Sequence, residues 1–339
     1  MKIFLVCGSD FYYKNKIFDI NSSQNRDNAY YPIYLLRCAL LEKGIDLNTF
    51  DYFDKRNDRD YQLIFSDIPR NIYTILNDHK NAPKFLILSE SEVTLSLNWD
   101  RKIHSYFTKI FTWHDDLVDG RKYFKLNFTN LFPRNISNGL YRKEKLLTLI
   151  AQNKKAKHPL ELYSKRLEAI RWFEKYHLNE FDLYGIGWDE YTFEGIRPAR
   201  ALNKLRFFRK LFAGHFPSYK GRIEGKKPVL EKYKFAICFE NAKDIPGYIT
   251  EKIFDCFFAG CVPIYWGANN VTDHIPKNCF IDKREFDSYE ALYEFIKGMD
   301  DATYLQYLKN AQEYLNSPMS YEFTAECFAK TIIKEVLNG

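Results

Sequence analysis

No stretch of this chain approaches the ~20 consecutive apolar residues that cross a bilayer as a helix, and the opening MKIFLVCGSD is too short an apolar run for a signal peptide. The expectation is a cytoplasmic protein. Cysteine is sparse and odd in number: Cys7, Cys38, Cys238, Cys256, Cys261, Cys279 and Cys327 are scattered, mostly inside apolar runs. That pattern excludes a disulfide framework and reads as free thiols in a reducing compartment. There is no P-loop, and Gly185-x-Gly187 lacks the third glycine of a dinucleotide fingerprint, so it reads as a turn that ends a strand. His114, Asp115 and Asp116 lie side by side without the helical spacing of a known ligand set, and no metal site is expected. Internal repeats, low-complexity segments, a heptad tail and any nucleic-acid-binding module are also missing, which leaves little for a solenoid, coiled-coil or nucleic-acid-binding reading.

What is present is a globular composition. The chain has 339 residues, 46% hydrophobic and 28% charged, enough for about two domains with full cores. Aromatic residues make up 17%, with 29 Phe and 25 Tyr, and serve core packing first and ring stacking second. The net charge of +6 is uneven, because residues 197–234 hold twelve Lys or Arg against two Glu. One basic surface is therefore expected, suited to a diphosphate, an anionic membrane face, an acidic glycan or nucleic acid, or simply to a solvated helix face.

Strand, helix and strand alternate from the start. Apolar runs at Lys2 to Cys7, Leu47 to Phe50, Tyr61 to Phe65, Phe85 to Leu88, Lys109 to Thr112 and Tyr123 to Phe128 read as strands. Helical periodicity occupies Pro32 to Lys43, stopped by Gly44, and Ile68 to Asp78. This predicts a parallel, doubly wound α/β sheet. Asn130 to Tyr141, rich in turn residues, marks a boundary, and the pattern restarts with a strand at Leu146 to Ile150. A helix over Leu160 to Tyr176 and a strand at Phe181 to Tyr184 follow. Arg197 to Phe212 reads as one amphipathic helix whose stripe, Leu202, Leu205, Phe208 and Phe212, docks on the core. Two more helices and a last one over Phe323 to Leu337 complete two α/β halves, 1–140 and 141–317, with a terminal helical segment 318–339.

The most informative stretch is YKFAICFENAKDIPGYITEKIFDCFFAGCVPIYWGANNVTDHIP, Tyr233 to Pro276: strand, polar loop, short helix, and a second strand ending at Gly267. The helix start at Thr250 offers free N–H groups and a positive dipole end to a phosphate. Lys252 adds a full charge, and Arg166 brings a forked guanidinium to the same sheet edge. Glu251 beside Lys252 suits sugar or ribose hydroxyls. Cations for a diphosphate and carboxylates for hydroxyls together point to a nucleotide sugar. In the other half, Glu90 and Glu92 in LSESE lie just past a strand's carboxyl end, where such folds collect catalytic groups.

YKFAICFEN, YITEK and FFAGCVPIYWG in this order, closed by Pro276, resemble the signature of family 10 glycosyltransferases, the α-1,3/4-fucosyltransferases. SKRLEAIRWFEKYHLNEFDLYG is similar to the family's helix-and-strand segment, with its phosphate-contacting arginine at Arg166 or else Arg171. LSESE resembles the segment with the catalytic base, at Glu90 or else Glu92. The resemblance implies a GT-B fold of two Rossmann-like domains facing a cleft, acceptor mainly in the first and GDP-fucose in the second. It implies inverting transfer of L-fucose to a hydroxyl of a glycan or glycolipid acceptor, α-1,3 to GlcNAc or Glc of an N-acetyllactosamine- or lipopolysaccharide-type chain. No cofactor or metal is implied, with Arg166 and Lys252 stabilising the leaving diphosphate. Glu251 would contact fucose or ribose; Tyr248 and Asn241 would line the donor pocket. Glu240 would either shape the loop or touch the donor directly, and Tyr219 is a donor-side candidate by order alone. The basic surface leaves room for peripheral contact with the inner membrane face. A GT-B enzyme for another nucleotide sugar is the alternative.

Overall fold

The computed structural model describes residues 1–133, 136, 139–140, 142–193 and 197–338. Part of the expected boundary segment, Asn130 to Tyr141, lies outside them. Two six-stranded sheets, parallel at every pairing, form the frame. The first is built from β1 (Lys2–Cys7), β2 (Asp46–Thr49), β3 (Tyr61–Ser66), β4 (Lys84–Leu88), β5 (Lys109–Thr112) and β6 (Tyr123–Lys125). The second holds β7 (Lys145–Ile150), β8 (Phe181–Tyr184), β9 (Tyr219–Gly221), β10 (Tyr233–Phe239), β11 (Val262–Trp266) and β12 (Ile281–Asp282). This is the expected α/β, GT-B arrangement of two Rossmann-like sheets.

Strand burial explains why the central runs carry no polar alternation. Every residue of β4 is buried, as are all but one of β1 and β10, because helices cover both faces of a parallel sheet. The first sheet runs β2-β1-β3-β4-β5-β6 and the second β12-β11-β10-β7-β8-β9. The chain thus reverses direction between β1 and β3, and again between β7 and β10. Such reversal points leave a crevice at the carboxyl ends of the strands, where ligands bind in open α/β sheets. A cavity opens at each of them.

The terminal helix Ala325–Leu337 does not cap the second domain. Its Phe328, Ala329, Ile332 and Ile333 pack with Ile3, Leu5, Leu36 and Leu40 of the first domain, so the end of the chain ties the two halves together. A polar seam does the same nearer the cleft. Asp115 accepts from Asn270 Nδ2 at 2.8 Å and pairs with Lys125 and His274, and His274 also meets Glu322 at 2.9 Å. Burial alone would lower His274, but the two carboxylates raise it to about 9, while the same partners hold Asp115 well below the usual carboxylate range against its own burial. Asp115, next to His114, is therefore a seam residue, while Asp116 is exposed. Among the described residues no cluster of His, Cys, Asp or Glu could hold a metal ion.

Two expectations fail locally. Arg197 to Phe212 is two short helices, Arg197–Ala201 and Arg206–Leu211, separated by a turn at Leu202–Lys204. Its supposed core stripe is largely at the surface, with Leu205 51% and Phe212 55% exposed. Asn203 brackets Phe193, donating to its carbonyl and accepting from its N–H, and Tyr191 N–H reaches the Arg209 carbonyl. These local bonds outcompete a continuous helix. The short edge strands β9 and β12 went unanticipated, because three and two residues carry no readable alternation. The Gly185 turn matches its reading: at φ +132°, a Cβ there would sit 1.9 Å from the Ala151 carbonyl oxygen. The seven cysteines are free.

Candidate active site at the cleft

The strand β10 delivers Glu240 and Asn241 to the β7/β10 crevice, and the helix Glu251–Phe258 starts beside them. Thr250 caps this helix, its Oγ1 accepting from Lys252 N–H. Glu240 is wholly buried beneath the cap. Its carboxylate accepts from Thr250 N–H at 2.8 Å, Thr250 Oγ1 at 2.7 Å and Lys252 Nζ at 3.0 Å. A buried carboxylate with three donors is satisfied, so Glu240 fixes the helix start and aims Lys252, and it is not among the residues lining the cavity.

That cavity holds about 340 Å³. Arg166, Asn241, Glu251 and Lys252, four of the expected donor residues, line it together. Arg166 projects from the helix Tyr163–Tyr176; its Nε and Nη2 donate to the Phe239 carbonyl at 3.2 and 2.6 Å, and Nη2 also to Asn241 Oδ1 at 3.0 Å. The buried guanidinium is thus held rigidly at the strand end. Arg171, its alternative, instead pairs with Glu174 and the His215 carbonyl outside the cavity.

Four further charged lining residues, Arg26, Lys154, Lys226 and Asp255, are not among those the sequence singles out. Lys226 Nζ reaches Asp255 at 2.6 Å and Glu251 at 3.3 Å. Burial would raise Glu251, but Lys252 and Lys226 overturn that and hold it well below the usual carboxylate range. Burial pushes Asp255 up to about 6 despite Lys226. Lys226 and Lys252 are themselves raised, their acidic neighbours outweighing burial, so both stay charged at neutral pH. Lys226 was one of twelve cations in a basic stretch, and nothing local set it apart.

Two of the expected residues lie elsewhere. Tyr219 donates to the Gly185 carbonyl at 2.8 Å and braces the edge of the sheet. Tyr248 is buried against Trp113, ring centroids 4.6 Å apart, with Phe128 at its edge. Neither lines the cavity. Tyr248 instead belongs to the contact between domains, where Gly247 must be glycine: its φ is +77° and a Cβ would lie 2.2 Å from the Trp113 carbonyl oxygen.

From the first domain, Glu90 follows β4 and faces this group. Its backbone N–H donates to Asp67 Oδ1 at 3.2 Å, and its carbonyl accepts from Trp99 Nε1 at 3.1 Å. Burial and then the charge of Asp67 raise the Glu90 carboxyl, while Lys154 and Lys252 of the second domain pull it down. A carboxylate felt by both cleft walls can take a proton from a group lying between them. Glu92 is turned to His158 at 3.5 Å. Adjacent to Glu90, a cavity of about 610 Å³ fills the β1/β3 crevice, lined by Tyr12, Tyr30, Asp67, Ser89, Trp113 and Asn127 among others. Rings beside hydroxyl and carboxylate groups suit a sugar, which has apolar faces and a polar edge.

The chain is similar to known proteins in sequence over short stretches and in fold over its whole length. A 37% identical stretch of 100 residues is shared with the alpha-(1,3)-fucosyltransferase FucT of Helicobacter pylori, covering 30% of this chain and 19% of that protein. The alpha-(1,4)-fucosyltransferase of Arabidopsis thaliana is 39% identical over 80 residues, 23% of this chain and 20% of its own length. The matched stretches thus span about a fifth of these relatives. In fold, the chain is similar over its whole length to a crystal structure of an alpha1,3-fucosyltransferase with GDP-fucose, with TM-score 0.55, 15% identity and 90% of that chain covered. The Anabaena protein HepE in complex with UDP is comparable, at TM-score 0.54 and 10% identity over the whole of both chains. The model of the glycosyltransferase family 10 (fucosyltransferase) C-terminal region matches residues 141–331, more than half of the chain and the whole of 141–317. By that match, the chain belongs to glycosyltransferase family 10.

Proposed function

We propose that this protein is an inverting α-1,3-fucosyltransferase, moving L-fucose from GDP-fucose to a hydroxyl of GlcNAc or Glc in an N-acetyllactosamine- or lipopolysaccharide-type glycan. The observation that carries the reading is the pairing of a cation-lined cavity on one domain with a carboxylate of raised pKa on the other. GDP-fucose lies in the 340 Å³ cavity, its diphosphate against Lys252 and Arg166 and its hydroxyls toward Glu251. The acceptor enters the 610 Å³ cavity and presents its hydroxyl to Glu90. Glu90 takes the proton as the hydroxyl attacks the anomeric carbon from the face opposite the diphosphate. Positive charge grows on the sugar ring and negative charge on the departing phosphate, where the fixed cations offset it. The names of the matched relatives support fucose as the sugar.

Because lysine and arginine neutralise the leaving group in this reading, no metal cofactor is required. Offered GDP-fucose and lactosamine-type acceptors, the purified protein should release GDP at a rate unchanged by EDTA. Turnover of a different GDP- or UDP-sugar in its place overturns the donor assignment, and a rate abolished by EDTA and restored by a divalent ion overturns the metal-free mechanism.

The enzyme of this proposal works in the cytoplasm, in keeping with free cysteines, and against the inner membrane face. No described helix is long and apolar enough to cross a membrane. Phe207, 71% exposed, and Leu211, 63% exposed, follow Arg200 and Lys204 in the chain and flank Lys210, a combination suited to inserting apolar side chains while cations bind anionic headgroups. The protein should sediment with vesicles containing phosphatidylglycerol and not with pure phosphatidylcholine, and Phe207→Ser with Leu211→Ser should weaken this several-fold. Equal sedimentation of the double variant removes this surface from membrane contact.

A further inference from the structure

One residue on the wall of the donor cavity comes from the other domain. Among the described lining residues, Arg26 is the single contribution of the first domain. It lies in the short turn Arg26–Asn28, where Asp27 and Asn28 have left-handed backbone at φ 53° and 60°, a conformation that L side chains adopt rarely. The second domain helps hold the turn there. Arg26 Nε donates to the Glu224 carbonyl at 3.1 Å and Nη2 to the Ile223 carbonyl at 2.8 Å, while Lys226 N–H donates to Asp27 Oδ1 at 2.9 Å.

The position matters because Arg26, Lys226 and Glu251 line both cavities. The turn therefore stands where donor and acceptor spaces join. Charge points to what it meets there. Five cationic and two acidic side chains line the donor cavity, a surplus of three positive charges. A nucleoside diphosphate sugar brings two negative charges to it. A guanidinium has five N–H donors in a planar fork, and the bonds to two carbonyls leave others for phosphate oxygens.

We propose that Arg26 is a donor-binding residue: its guanidinium contacts the diphosphate of the nucleotide sugar, so that donor binding draws the two domains together. This rests on the nucleotide-sugar reading above and extends it, since a phosphate ligand from the first domain makes closure and donor affinity two sides of one equilibrium. Closure then brings the Glu90 side of the cleft onto the donor before the acceptor reacts.

Titration calorimetry with GDP and with guanosine, on the wild type, Arg26→Ala and Arg26→Lys, tests it. Loss of a charged hydrogen bond corresponds to roughly ten- to a hundredfold. Arg26→Ala should weaken GDP by that factor and leave guanosine unchanged, with Arg26→Lys between. Hydrogen exchange at residues 21–30 should slow on GDP addition in the wild type and not in Arg26→Ala. Unchanged GDP affinity in Arg26→Ala, or equal loss of GDP and guanosine, overturns the proposal while leaving the nucleotide-sugar reading intact. Failure of the wild type to bind GDP overturns both. Arg26 is exposed, so its removal should leave the melting temperature near that of the wild type.

Discussion

Glu90→Ala should lower kcat by about a thousandfold, the usual scale of a lost general base, with GDP affinity nearly unchanged. The residue lies outside the set that lines the donor cavity, yet Lys252 and Lys154 of the second domain bear on its carboxylate. In the proposed mechanism its role in binding is therefore small and its role in proton transfer large. The raised carboxyl gives a second readout. A base works only when ionised, so activity should fall as pH drops through the pKa of Glu90, which burial and then Asp67 raise from its ordinary value. In the pH profile of kcat/KM, Asp67→Asn should move this acid limb to lower pH, because one negative neighbour is gone. Full activity in Glu90→Ala would transfer the base role elsewhere, first to Glu92.

Lys252→Ala should fail in two measurable ways at once. In the proposed donor pose it removes a cation from beside the diphosphate, and GDP should bind roughly a hundredfold more weakly, on the scale of a truncated charge pair. It also strips Glu240, wholly buried, of its one cationic hydrogen-bond partner among the described residues. Leaving a buried charge uncompensated costs about 3 kcal/mol at the lower end, and water at the partly exposed Lys252 end reduces this to about 2 kcal/mol. Denaturant unfolding should register that loss. Adding Glu240→Gln to Lys252→Ala should restore much of the stability, because the amide needs no counter-charge, and none of the donor affinity. Recovery of GDP binding in the double variant would show that Lys252 acts only through the fold.

Local patterns in the sequence carried the architecture and half of the site. Apolar runs such as FLIL and YKFAICF declare buried parallel strands, since burial on both faces removes polar alternation. The TEK turn declares a helix start with a cation in its first turn, and Thr250 and Lys252 sit there in the structure. Arg166, Asn241, Glu251 and Lys252 were legible for the same reason: each lies within a few residues of a strand end or helix start. Tyr219 and Tyr248 were misplaced because ring direction depends on what packs opposite. For Tyr248 that is Trp113, 135 positions away in the chain. The stripe of Leu205 and Phe212 fits a helix that Asn203 and Phe193 interrupt through side-chain bonds invisible to periodicity.

By itself, then, the sequence determined two parallel α/β halves, a strand-to-helix junction capped at Thr250 and carboxylates past β4, because these follow from short-range periodicity and capping. Only the tertiary structure decided which charges meet. Lys226 joins Glu251 and Asp255, Arg26 crosses from one domain to the other, and Glu90 comes under the influence of Lys252. Coulomb interactions and hydrogen bonds depend on distance in space, and the strand order that reverses between β7 and β10 sets those distances without leaving a mark on the local sequence.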